Sequence, residues 1–180
     1  MRKWIILLRG VNVSGQKKII MADLRKALAA AGYHEVETYI QSGNILLETT
    51  DSIDQRDIKS AVSELIMSSF GYQVEVFVLT PEWLAQIAKQ NPFLSKPGID
   101  PKQLYLTILD QTPGEEAVNR LRDFDTPGDE YIIDDQVIYI RYQNGAGKAK
   151  LTNNLIESKL KVKATSRNWN TTLKLIAMST

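Results

Sequence analysis

VETYIQSGNILLE, residues 36–48, reads as two short strands, 36–40 and 44–48, folded back through Gln41-Ser42-Gly43. A Gly-bearing three-residue loop between two such runs is a hairpin signal. Upstream, Lys3–Arg9 is a continuous apolar run, the pattern of a buried strand. Met21, Leu24, Leu28 and Ala31 recur at helical spacing, and Gly32 stands where a helix ends. Downstream, Ile53, Ile58, Val62, Leu65 and Ile66 predict a helix over 53–69, and YQVEVFVL (72–79) a fourth strand. The order is βαββαβ, the ferredoxin-like plan.

After a helix near 81–90 and the loop NPFLSKPGIDP, the order returns. QLYLTIL (103–109) is a strand and 114–124 a helix. EYIID and VIYIRY form a hairpin around Asp134-Asp135-Gln136. Residues 151–160 form a helix, KVKAT (161–165) a short strand, and a last helix begins near 167. The expected fold is α+β, two tandem ferredoxin-like units with four-stranded antiparallel sheets plus a C-terminal helix. Residues 1–80 make the first unit, 81–101 a linking helix and loop, and 102–180 the second unit.

The 43% apolar content of the 180 residues excludes a disordered chain. With no Cys, disulfides and thiolate metal sites are excluded, and a reducing, cytoplasmic compartment is expected. MRKWIILLRG imitates a signal peptide, but its apolar run, Trp4–Leu8, is too short. No stretch approaches membrane-spanning length, and no membrane partner is expected. The net charge of +1 hides an asymmetry. Residues 1–30 carry seven Lys/Arg against one acid, and 141–180 carry eight against Glu157 alone; 31–140 carry seven against nineteen acids. Either the ends neutralise the middle, or they build a basic surface for phosphate or nucleic acid.

In a sheet of order 4-1-3-2, the end of the first strand lies beside the start of the third. Arg9, Gly10 and Asn12 then meet Gln41, Ser42, Gly43 and Asn44, and SGQKK adds Lys17 and Lys18. Turn chemistry accounts for Gly10, Gly15 and Gly43. Arg9, closing a buried strand, needs a partner, structural or bound. A second polar crowd is TSRNWNTT (165–172). Trp169, Leu173 and Ile176 share a helix face, so Trp169 is a core residue, and Ser166 or Asn168 is the N-cap. No acid occurs from Leu160 to Thr180, and Arg167 adds charge to a positive helix end. The crowding of Arg167, Asn168 and Asn170 is therefore expected to serve a ligand rather than a cap. Lys148 and Lys150 add further positive charge.

NGAGKAK is not a P-loop, because Tyr142 and Ala149 stand where Gly and Ser/Thr are required. A lone His34 and no Cys exclude a transition-metal cage and a Ser-His-Asp triad; no metal or cofactor is expected. Base stacking on the central strands is poorly served, since NILLE has no aromatic and VIYIRY offers only Tyr139 and Tyr142.

LLRGVNVSGQKKIIMADLR, TYIQSGNILLE, NPF and KLTNNLIESKLKVKATSRNWNTTLKL together resemble the bacterial domain of unknown function 1697 family. The resemblance implies a two-unit α+β fold and a soluble bacterial protein, and supplies no activity. Its motif positions here are Arg9, Asn12, Gln41, Ser42, Asn44, Arg167, Asn168, Trp169 and Asn170. Ala149 replaces a family Ser before KLT, so a scheme needing a hydroxyl there does not fit. Three readings stay open. One is a binding protein for a phosphate-bearing ligand, nucleotide or nucleic acid, at a basic inter-unit cleft lined by Arg9, Asn12, Lys17, Gln41, Ser42, Asn44, Lys148, Arg167, Asn168 and Asn170. The second is an enzyme acting on a small phosphorylated or nucleotide substrate. The third is a structural interaction module.

Overall fold

The computed structural model describes all 180 residues, Met1–Thr180. Two compact units divide the chain: Met1–Ala85 with Leu175–Thr180, and Gln86–Lys174.

The first unit holds β1 (Arg2–Leu8), α1 (Met21–Ala30), β2 (His34–Tyr39), β3 (Asn44–Thr49), α2 (Gln55–Phe70) and β4 (Val76–Leu79). Its sheet order is β2-β3-β1-β4, and every neighbouring pair is antiparallel. Residues 4–8 of β1 are all buried, which is why the strand reads as an unbroken apolar run. Alternate residues Trp4, Ile6 and Leu8 join Ile45, Leu47, Val76 and Val78 beneath the helices. The helices bury Met21, Leu24 and Leu28 from α1, and Ile58, Val62 and Ile66 from α2. Each large apolar side chain withdrawn from water in this way contributes about 1.5–3 kcal/mol. Buried Trp4 donates its indole N–H to Thr49 Oγ1 at 2.9 Å. Asp54 caps α2 by accepting from the N–H groups of Arg56 and Asp57, and left-handed Gly71 ends it.

The second unit holds β5 (Leu104–Leu109), α4 (Glu115–Arg122), β6 (Glu130–Asp134), β7 (Val137–Arg141), α5 (Asn153–Leu160) and β8 (Ala164–Asn168). Its order, β6-β7-β5-β8, repeats the first, again antiparallel throughout. Two further helices are α3 (Pro81–Lys89) and α6 (Trp169–Ser179). A carboxylate links loop and sheet here: Glu130 accepts from Lys96 Nζ and Arg141 Nη1, each at 2.6 Å.

Two strands differ from expectation. The fourth was read over 72–79 but pairs only over Val76–Leu79, because β1 stops at Leu8, opposite Val76. Glu75 O still takes the Arg9 N–H, but the two carbonyls before it go elsewhere: Gln73 O to Lys17 Nζ and Val74 O to Ser63 Oγ. KVKAT was read as the eighth strand, yet β8 begins at Ala164. Lys161 is the left-handed C-cap of α5, and the Lys163 N–H donates to Asp110 Oδ1, so these residues close a helix first.

The Glu130 cluster sets an acid dependence. Lys96 and then Arg141 hold its carboxyl below the ordinary glutamate range. A depressed carboxylate stabilises the fold above its unfolded value, and that contribution fades as pH falls through the depressed one. The site is well exposed, so the effect is under about 1 kcal/mol. Glu130→Gln should flatten the acid limb of a stability-versus-pH profile by lowering stability at neutral pH by under about 1 kcal/mol while leaving acid stability little changed, as urea denaturation at stepped pH would show.

Candidate functional site

The hairpin and strand pairing bring one group of polar residues to a single end of the first unit. β1 runs out with Leu7 opposite Asn44, and the Leu8 N–H donates to Gly43 O at 2.8 Å. Asn12 then ties the loop after β1 to the hairpin turn. Its Nδ2 donates to Ile19 O at 2.8 Å and to Gln41 O at 2.7 Å, while its Oδ1 accepts from the Ile19 N–H at 2.9 Å. Asn12 is thus fully engaged with backbone and works as a staple. Asn44, wholly buried, donates to Tyr39 O and Ser42 Oγ, each at 3.0 Å, and shapes the turn from inside. Half-buried Arg9 stands one residue beyond β1, and Lys17 Nζ reaches Gln73 O at 2.6 Å. Arg9, Asn12, Lys17, Gln41, Ser42 and Asn44 therefore gather as the motifs foretold.

The backbone at this end is unusual. Gly10, Asn12, the consecutive pair Ser14 and Gly15, and Lys17 are left-handed, interspersed with residues that are not. Switching hand in this way turns successive N–H groups to one side and makes concavities that favour anions. A non-Gly residue held left-handed costs on the order of 1 kcal/mol. Ile40, in the hairpin turn, is left-handed too, although its branched Cβ makes this the least suitable residue type. Nothing in the sequence signalled it, because propensity argues against it. No acid lies in 9–22 or 38–47, so Arg9, Lys17 and Lys18 set the sign of the charge; Glu75, beside Arg9 through the backbone, is the nearby exception.

The second unit treats its motif differently, and the last helix, expected from about 167, begins at Trp169. Thr165–Asn168 are the last residues of β8, so Arg167 lies on a strand opposite Leu106, not in a helical turn. Asn168 caps α6, its Oδ1 accepting from the Thr171 N–H at 2.8 Å, and Trp169 is buried below it. Ser166 Oγ donates to Asn153 Oδ1 and meets Thr107 Oγ1, each at 2.7 Å. Asn153, which the sequence reading did not single out, is positioned in the first turn of α5 by the Thr152 cap and also binds Ala164 O. Arg167 Nη1 donates to Thr165 Oγ1 and Ser166 O. Burial draws its pKa down to about 10, still far above neutrality, so it remains a cation. Asn170 is exposed in the first turn of α6, and Lys148 ends an exposed 3-10 turn, Ala146–Lys148.

The end of the second sheet that corresponds to the Arg9 end carries Asp110, Asp134 and Asp135. A shallow groove of about 590 Å³ lies there, lined among others by Asp110, Glu157, Lys161 and Lys163. Its acids already serve backbone: Asp110 takes the Lys163 N–H and Glu157 the Ala164 N–H. No group of three or more His, Asp or Glu side chains is placed to hold a metal ion. No helix is long and apolar enough to cross a membrane.

Comparison with known proteins follows the fold rather than an activity. A family described as "Protein of unknown function (DUF1697)" matches residues 1–139, so the C-terminal motif lies beyond the matched span. Among solved structures, a conserved bacterial protein from Streptococcus pneumoniae superposes with a TM-score of 0.75 at 19% identity, covering 99% of each chain. At that identity the likeness speaks for the fold alone. A search of curated proteins finds no match.

Proposed function

This chain belongs to the DUF1697 family of proteins of unknown function, and from that premise we propose that it binds a phosphate-bearing ligand, a nucleotide or nucleic acid, at the basic end of its first unit. The observation that carries this reading is the loop 10–17, whose backbone changes hand repeatedly, set among Arg9, Lys17 and Lys18 and free of acids. Gln41 and Ser42 supply neutral polar groups beside it, while Asn12 and Asn44 hold its shape. In the second unit, taken by itself, we propose Arg167, Lys148, Asn168 and Asn170 as anion contacts, with Arg167 foremost because it keeps its charge. We read each unit as a ferredoxin-like βαββαβ module, which the strand orders support, joined through residues 81–101. A cytoplasmic setting accords with the absence of Cys.

The test is thermal unfolding in the presence of pyrophosphate, nucleoside mono- and triphosphates and short oligonucleotides. A ligand at about a hundred times its Kd stabilises by about 2.7 kcal/mol, which moves the midpoint by several degrees. Arg9→Ala combined with Lys18→Ala should remove that shift, read against the variant's own unliganded midpoint. If no anion in the panel moves the midpoint, the reading fails.

A further inference from the structure

The basic end of the first unit is also where exposed aliphatic side chains collect. Val13, Ile20, Ile40 and Met67 are 54%, 66%, 50% and 55% exposed, four of the eight large apolar residues left open to water in the whole molecule. Topology places them together. Val13 lies in the loop after β1, Ile20 is the N-cap of α1, and Ile40 sits in the β2–β3 turn. Asn12 bonds to Ile19 and Gln41, the direct neighbours of Ile20 and Ile40. Met67 is in the last turn of α2, which ends at Gly71, and Lys17 reaches Gln73 just beyond. Half-buried Tyr39 precedes Ile40. Scattered exposed aliphatics need no explanation, but a cluster on one end does.

Ile40 sharpens the point. A turn residue with φ of 50° is served better by Asn or Gly, which tolerate the left-handed region. An exposed Ile there contributes little to the core and strains the turn, so its side chain is explained by something outside the chain.

We infer that this end docks single-stranded nucleic acid, with phosphates against Arg9, Lys17 and Lys18 and unstacked bases on Ile40, Val13 and their aliphatic neighbours. The inference rests on the phosphate-site reading above and names its ligand class. The charge fits an anionic polymer, and the apolar residues fit what a single strand offers and a duplex hides, the faces of its bases. The patch spans four elements and is a surface rather than a closed pocket, which suits several nucleotides better than one. It lies at the end of the sheet, so it does not need aromatics on the central strands.

Fluorescence anisotropy with labelled single-stranded oligonucleotides tests it, with duplex, mononucleotide and vesicles containing about 30% phosphatidylserine as the other arms. The single strand should bind in preference to all three, with a log–log salt slope of roughly −2, as expected for about three phosphates. Ile40→Asn, which removes the apolar contact, should weaken binding about tenfold while the melting midpoint holds or rises, since Asn relieves the turn. Val13→Ser, in the exposed loop, should weaken it in the same direction. Unchanged affinity in Ile40→Asn, equal binding of duplex or mononucleotide, or preference for vesicles each overturns the inference. If pyrophosphate stabilises the protein but no oligonucleotide binds, only this inference falls; if neither acts, the phosphate site falls with it.

Discussion

Gly43→Ala is expected to destabilise the protein by about 2–4 kcal/mol, the sum of an overpacking cost and a backbone cost. A methyl group at this position would stand 2.7 Å from Leu8 Cβ, and its backbone φ is 74°. Leu8 Cβ is fixed to β1 and cannot swing aside as the tip of a long side chain would. Relief requires the turn and the strand to separate, which would stretch the 2.8 Å bond from the Leu8 N–H to Gly43 O. In thermal unfolding the loss corresponds to a fall on the order of 10 °C. Gly15→Ala is the control. Its φ is 75°, but no atom lies within 4 Å of the added carbon. It should therefore show the backbone cost alone, about 1 kcal/mol. Equal losses in the two variants would mean that close approach to Leu8 is not what requires Gly at position 43.

Asn12→Ala carries the second large effect. It removes three hydrogen bonds, two from Nδ2 and one to Oδ1, and strands both backbone groups of Ile19 as well as Gln41 O. Ile19 is a core residue, so water cannot freely replace the lost partner. At about 1 kcal/mol net per bond, with a further cost for Ala at positive φ, the loss is about 3 kcal/mol. Asn12→Gly should recover about 1 kcal/mol of it by restoring backbone freedom but not the bonds. Asn12→Asp should do no better than Ala, because a carboxylate would face two carbonyl oxygens. Urea denaturation of the three variants decides the matter: if Asn12→Ala costs under about 0.5 kcal/mol, within the range of a neutral surface change, the side chain is no staple. The result also bears on function, since a residue spent on three backbone bonds is a support for Arg9 and the loop rather than a ligand contact.

Much of this arrangement was legible beforehand. The Gly-bearing turn between two short runs announced the β2–β3 hairpin, and the unbroken apolar run announced β1, buried on both faces. The α1 and α2 helices followed from residues three and four apart, α2 being read over 53–69 and found over Gln55–Phe70, where Asp54 and Gly71 cap it. The strand ends were harder. Val74 and Glu75 continue the alternation of β4, but alternation cannot reveal that β1 has already stopped. KVKAT looks more strand-like than TSRN, yet Lys161 is used to close α5, and β8 extends through Arg167 and Asn168 instead.

The sequence by itself determined the elements and their order, because each depends on a local period or a local turn and both are written in consecutive residues. It also determined the segregation of charge and the meeting of Arg9 with the Gln41–Asn44 turn, since antiparallel pairing of β1 with β3 follows from that order. Only the tertiary structure decided what the polar side chains do. Asn12, Ser166 and Asn168 have the same donors and acceptors whether they staple, bridge or bind a ligand. The choice depends on which backbone groups lie within about 3 Å, and those come from residues distant in the chain. Ile40 is the clearest case: its local preference opposes the conformation it holds, and only the hairpin, closed by Asn44 within and Asn12 outside, imposes it.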